Sequence, residues 1–364
     1  MSALFRNRRK LLGLLATLGL PARAATTPQL TSFAAATPAY RLQFPRDHGS
    51  HPDFRVEWWY ITGWLHRQGQ EDCGFQVTFF RVRPRVPVAN PSRFNPEHVI
   101  IAHAAIADRR LGKLRHVQRA ARQGFGLAGS DTGNTRVWID RWQLLRDGPQ
   151  YRCTINADDM ALDLVLETRQ PPLLQGVEGY SRKGPQTESA SHYYSLPHLR
   201  VSGQIRIDKM SHRVEGEAWL DHEWSSSLLE VNAEGWDWIG INLADGGALM
   251  AFCMRDRRGG TLWAGGSWRD AGGAVTDFRP DEIRFTPLRH WRSPHTGTQY
   301  PVSFEVRAGS FRLRLEPLMD DQENDTRATT GAVYWEGAVR ASSGGREIGR
   351  GYLELTGYLR PLQI

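Results

Sequence analysis

Three stretches set acids among large aromatics, a combination that packing alone does not require. Asp221-His222-Glu223 lies between Leu220 and Trp224. Carboxylates are almost never buried without a partner, so this placement points to a buried ion pair, a turn cap or proton chemistry. On an extended chain, Ala218, Leu220, His222 and Trp224 face one way, and Trp219, Asp221 and Glu223 the other. The second stretch runs from Asp47-His48-Gly49-Ser50-His51-Pro52 into Glu57-Trp58-Trp59-Tyr60, and the third is Trp236-Asp237-Trp238. Trp58, Tyr60, Thr62 and Trp64 share one strand face, opposite Glu57, Trp59 and Ile61. A cavity walled by indoles would hold an isoprenoid or acyl chain, each buried CH₂ contributing about 0.8 kcal/mol. Its ring faces would also stabilise a carbocation, by about 0.5–2 kcal/mol per contact. A carboxyl buried there is pushed towards neutral form and becomes a proton donor near neutral pH.

These parts suit protonation of an alkene followed by capture of water. Asp221, His222 and Glu223 are the candidate catalytic residues, with Asp221 donating and His222 orienting it or guiding water. Trp58, Tyr60, Trp224, Trp236 and Trp238 are the candidate pocket wall. The same wall suits carriage of a hydrophobic ligand, which needs no acid, and aromatics on one face also fill small barrels. His48-x-x-His51 lacks a third ligand at a known spacing, so no metal and no cofactor are expected. Ser225-Ser226-Ser227 after His222 raises a hydrolase, but no G-x-S-x-G elbow accompanies it.

The elements that must position these residues are strands. Helical periodicity is scarce, whereas alternation with period two recurs at Arg136–Leu144, Ala161–Thr168, Arg200–Asp208, Gly235–Asn242, Ala248–Met254 and Phe311–Leu315. Its cleanest case closes the chain, where Leu353, Leu355 and Leu359 oppose Tyr352, Glu354, Thr356 and Tyr358. Many short strands between polar or Gly-rich turns predict an all-β sandwich or barrel. No G-x-G-x-x-G or P-loop sequence occurs. Tyr60-Ile61-Thr62-Gly63-Trp64-Leu65 resembles Glu354-Leu355-Thr356-Gly357-Tyr358-Leu359, as two halves on one strand pattern would. The expected division is 25–213 and 214–364. Pro171–Ser191 and Asp320–Gly331 read as long loops, the first a candidate lid or binding loop.

At the N-terminus, Arg6, Arg8, Arg9 and Lys10 precede an apolar run, Leu11–Leu20, and then Pro21-Ala22-Arg23-Ala24. This is the order of a cleavable export signal over residues 1–24, and Asn7-Arg8-Arg9-Lys10-Leu11-Leu12 resembles its twin-arginine form. The run is too short for a membrane span, so a periplasmic or secreted protein with no stable span is expected. The chain has 46 Lys+Arg and 39 Asp+Glu; removing Arg6, Arg8, Arg9, Lys10 and Arg23 leaves 41 against 39. A net charge near +2 gives no reason to expect nucleic acid as a partner; a hydrophobic small molecule is the expected one. Cys73, Cys153 and Cys253 are too few and too far apart for a disulfide framework or a zinc site, and read as free thiols.

The segments Asp47–Phe54 with Glu57-Trp58-Trp59-Tyr60, Asp221-His222-Glu223-Trp224 with Gly235-Trp236-Asp237-Trp238, and Gly351–Tyr358 resemble, in that order, the signatures of the AttH/CrtC family. The resemblance covers nearly the whole chain after the signal. It implies two tandem lipocalin-like (calycin) antiparallel β-barrels. It also implies relatives that are cofactor-free carotenoid 1,2-hydratases, fungal pericyclases, or bacterial proteins called secreted hydrolases. The residues it carries over as a reaction centre are His222, Trp224 and the adjacent Asp221. The expected function is an exported hydratase or isomerase acting on an unsaturated hydrophobic small molecule, with a lipocalin-like carrier or a secreted hydrolase as alternatives.

Overall fold

The structure, a computed structural model, describes residues 31–362 except 71, 87–94 and 96, and the expected signal over 1–24 lies outside them. Among the described residues the only helices are three 3₁₀ turns, and all other regular structure is antiparallel strand. No described helix is long and apolar enough to cross a membrane.

The strands form two sheets. The first runs Arg115–Arg122, Val99–Ala107, Cys73–Val82, Val56–His66, Met210–Ser227, Ala190–Ile207, Met160–Glu167, Gln150–Asn156, Trp142–Asp147, Arg136–Ile139, Ala128–Ser130. Its two ends come together, so it curls into a nearly closed barrel. The second runs Val275–Phe278, Thr261–Arg269, Ala248–Asp256, Ala233–Leu243, Arg346–Leu355, Ala332–Ser343, Phe311–Pro317, Gln299–Ala308, Ile283–Arg292. It curls likewise, with Ile283–Arg292 against Ala248–Asp256 and Thr261–Arg269. The chain is therefore all-β, with two tandem lipocalin-like barrels, as its alternating patterns and family resemblance imply.

Simple alternation survives where only one face is buried. In Met160–Glu167, Met160, Leu162, Leu164 and Leu166 point into the first barrel and Asp163 points out. It vanishes where two faces are buried. Val56–His66 sends Trp59, Ile61 and Leu65 into the first barrel, and Tyr60 and Trp64 into a third apolar cluster between the barrels, with Trp219, Trp238, Met250 and Tyr352. The barrels approach closely there: a Cβ on Gly74 would lie 2.5 Å from the Tyr352 hydroxyl and 2.6 Å from the Ala338 methyl. Trp64 also donates its indole N–H to the Gly351 carbonyl at 3.1 Å.

Met210–Ser227 pairs with Val56–His66 along its second half, and the chain passes between the sheets at 228–232. Two expectations are corrected. Arg136–Leu144 is two strands, because Asp140-Arg141 forms a tight turn with Asp140 at positive φ. The counterpart of Val56–His66 is Ala233–Leu243 and not the C-terminal strand. Each pairs with the strand that follows it and with the last long strand of its own half.

Cys73, Cys153 and Cys253 are buried free thiols. The hairpin Ala332–Ser343/Arg346–Leu355 turns at Gly344-Gly345, and an irregularity between Ala341 and Ser342 shifts its register by one residue.

Candidate active site

A cavity of about 360 Å³ lies between the barrels, walled by both sheets. From the first come Trp58, Tyr60, Phe80, Tyr193, Asp221 and Glu223; from the second, Trp236, Trp238, Phe252, Tyr334, Glu336 and Glu354. The register explains the mixture of rings and acids. Tyr60 stands directly opposite Asp221, and Trp58 opposite Glu223. In the second sheet Trp238 stands opposite Glu354. Each half thus contributes an aromatic paired across strands with an acid.

Asp221 is buried and accepts three hydrogen bonds: from the Tyr193 hydroxyl at 2.8 Å, the Ser195 hydroxyl at 2.5 Å and the Trp219 indole N–H at 2.6 Å. Burial pushes its carboxyl up to about 7, against the three donors, which hold it down. Tyr193 also accepts the Trp238 indole N–H at 3.1 Å, so one hydroxyl links the acid to the opposite barrel. Tyr193→Phe removes a donor that favours the ionised form. Asp221 should then titrate at higher pH than in the wild type, read by ¹³C NMR of labelled aspartate carboxyls; an unchanged or lower midpoint would contradict this account.

Glu223 accepts from the Ser191 hydroxyl at 2.5 Å and pairs with Lys183 at 3.0 Å. The Lys183 ammonium also lies over the Tyr193 and Phe252 rings, 4.6 and 4.2 Å from their centroids. Lys183 comes from the predicted loop Pro171–Ser191, which contains two short strands and delivers this cation to the cavity.

His222 and Trp224 do not line the cavity: strand alternation turns them to the other face, into the first barrel. There His222 stacks on Trp59 with centroids 4.6 Å apart, and Trp224 stacks on His51 at 3.6 Å. The expected Asp-His-Glu unit is therefore split, with Asp221 and Glu223 at the cavity and His222 behind it. His222 and His51 both meet Glu57 Oε1, at 2.9 and 2.7 Å, while Arg81 donates to Glu57 Oε2 at 2.7 Å. Burial opposes ionisation of Glu57, but Arg81 and His51 hold it well below the usual carboxylate range. Arg81 also donates to the His51 and Phe54 carbonyls, and Asp47 lies 3.5 Å from His51. This network fastens the loop carrying the first motif to the barrel.

The ligand atoms of His51, Glu57 and His222 lie within 4.8 Å of one another, so a metal, if any, would be held here. The donor set fits poorly, because the Arg81 guanidinium already occupies one Glu57 oxygen and repels a second cation. The serine run supplies no nucleophile–base pair: Ser225 donates to the Ala190 carbonyl at 2.7 Å, and Ser226 accepts the Arg55 N–H at 3.1 Å.

Sequence reasoning missed Lys183, Tyr193 and Glu336, and placed Glu354 only on a polar strand face. A usable signal existed for Glu336, a lone acid between Trp335 and Gly337 in an otherwise apolar run.

The sequence pattern of the AttH-like family matches residues 35–358. A protein of Nitrosomonas europaea described as a candidate AttH superposes with a TM-score of 0.84 at 49% identity, covering 90% of this chain and 100% of its own. Kievitone hydratase from Nectria haematococca shares the fold with a TM-score of 0.67 at 14% identity, over 91% of this chain and 97% of its own. The protein CghA does so with a TM-score of 0.53 at 14% identity, over 90% and 97%. Comparison with proteins of curated function finds no match.

Proposed function

Because the chain belongs to the AttH-like family, whose fold also carries a hydratase, we propose that it is a cofactor-free hydratase or isomerase acting on an unsaturated hydrophobic small molecule. The observation that carries this reading is Asp221, a buried carboxyl brought to about 7 inside an aromatic-walled cavity. A group poised there is a proton donor at working pH. Trp58, Trp236 and Trp238 supply ring faces that stabilise positive charge, and Tyr193, Ser195 and Trp219 hold the donor in place. His222 acts from behind, through Glu57 and the loop it fastens, as a positioning residue. The cavity lies at the small end of the range for ligand pockets, which favours a compact ligand or one end of a longer chain. Export to the periplasm or the medium is part of the proposal, motivated by residues 1–24.

The test incubates purified protein with a panel of prenylated phenols and short isoprenoid alkenes in H₂¹⁸O, with mass spectrometry of products. Gain of one labelled water, or an isomerised alkene, is the expected result. Tight binding of panel members with neither outcome would replace this reading with a ligand carrier.

A further inference from the structure

Two glutamates face each other across the second barrel's wall of the cavity. Ala332–Ser343 and Arg346–Leu355 are antiparallel partners, and Glu336 stands directly opposite Glu354. Both lie on the face carrying Tyr334 and Tyr352, away from Trp335, Leu353 and Leu355, which fill the barrel. Directly opposed Cβ atoms on such strands are about 4.5–5.5 Å apart, and like charges there repel.

Glu354 accepts the Trp236 indole N–H at 3.0 Å. Glu336 is only 2% exposed; Tyr60 and Asn324 lie close enough to favour its ionised form against burial, but neither of its oxygens closes a hydrogen bond of ordinary geometry. The Tyr60 hydroxyl, also at the cavity, is equally unsatisfied. A buried carboxyl in this state is costly until something polar reaches it. Among the described residues no cation pairs with either carboxyl; the charge of Glu354 acts on Glu336, and that of Glu223 on Glu354.

We propose that Glu336 and Glu354 are a second catalytic site, a carboxyl pair that holds one proton between them, binds the attacking water and takes its proton. The proposal rests on the hydratase reading above. Burial raises Glu336 well above its ordinary value, with the charge of Glu354 adding to it, and burial brings Glu354 up to about 7. One neutral and one ionised member near pH 7 is the behaviour of opposed carboxyls that cannot both ionise. Protonated Asp221 gives its proton to one alkene carbon, and the π electrons form the new C–H bond, leaving a cation at the other carbon. A lone pair of the water held at the pair forms the C–O bond, and the water's proton passes to the ionised carboxyl. Between turnovers the pair releases that proton to solvent and Asp221 regains one. The net change is addition of one water.

The test compares wild type, Glu354→Gln, Glu336→Gln and Asp221→Asn on a panel alkene that the wild type hydrates, in H₂¹⁸O and separately in D₂O. In the two glutamine variants ¹⁸O uptake should fall about a hundredfold, while recovered alkene still gains deuterium, because the cation forms and then loses a proton. Asp221→Asn should lose both. Equal loss of both readouts in the glutamine variants, or no loss, overturns the proposal.

A second arm needs no substrate: in ¹³C-carboxyl-labelled protein, Glu336 should ionise at lower pH once Gln stands at 354. An unchanged midpoint overturns the proposal and leaves the hydratase reading intact. A wild type that hydrates nothing on the panel, yet shows the coupled titration, sinks the hydratase reading and the water-holding role together.

Discussion

Replacing Asp221 with Asn lowers turnover of an accepted alkene by about 10²–10⁴-fold, the usual contribution of a positioned general acid. Asn is nearly isosteric, but it has no proton to give. The wild type should lose rate as pH rises through about 7, where Asp221 ionises; the variant's residual rate should lack that alkaline limb. Stability should fall over the same rise in pH, through a window that begins lower. The folded-state value lies above the unfolded one, so the native protein holds a proton that the unfolded chain has released. This contribution is complete below pH 4 and is lost as pH rises to 7. The gap between urea melts at pH 5 and pH 8 should therefore narrow in Asp221→Asn, with the raised Glu336 and Glu354 carrying the remainder. A variant that keeps wild-type rate and pH profile would remove Asp221 from the chemistry.

Arg81→Met should cost about 3–5 kcal/mol of folding stability, because it strands a fully buried Glu57 without its cation. The Arg81 and Glu57 side chains are 1% and 0% exposed, so water cannot substitute for the lost partner. The substitution also releases the His51 and Phe54 carbonyls. Urea denaturation measures the loss, and pairing Arg81→Met with Glu57→Gln should recover part of it by removing the orphaned charge. A cost below about 1 kcal/mol would mean that the network does not fasten the loop.

How much of this was legible depended on how many faces of each strand are buried. Met160–Glu167 and Phe311–Pro317 bury one face and can be read directly. Val56–His66 and the second half of Met210–Ser227 bury both, one towards a barrel and one towards the cavity. Hydrophobicity stops alternating there, and adjacency drew Asp221 and His222 into one site although their side chains diverge. The Glu336–Glu354 pair was hidden differently. Counting outward from Gly344-Gly345, Ser343 meets Arg346, and regular pairing would set Glu336 against Leu353. The register shift beyond Ala341 moves Glu354 into place, and nothing in the local sequence announces it. Lys183 follows Tyr180–Arg182, a three-residue strand paired with the start of Ala190–Ile207, too short for alternation to announce it.

The matching of Tyr60 with Asp221 and of Trp238 with Glu354 gives the two walls of the chamber the same aromatic–acid pairing. A guest with identical ends could enter either way round, so discrimination between head and tail falls to what breaks the likeness. Lys183 sits on Glu223, and where Glu223 answers Trp58 the other half sets Thr356 beside Trp236. That ammonium–carboxylate couple is what tells one wall of the chamber from the other.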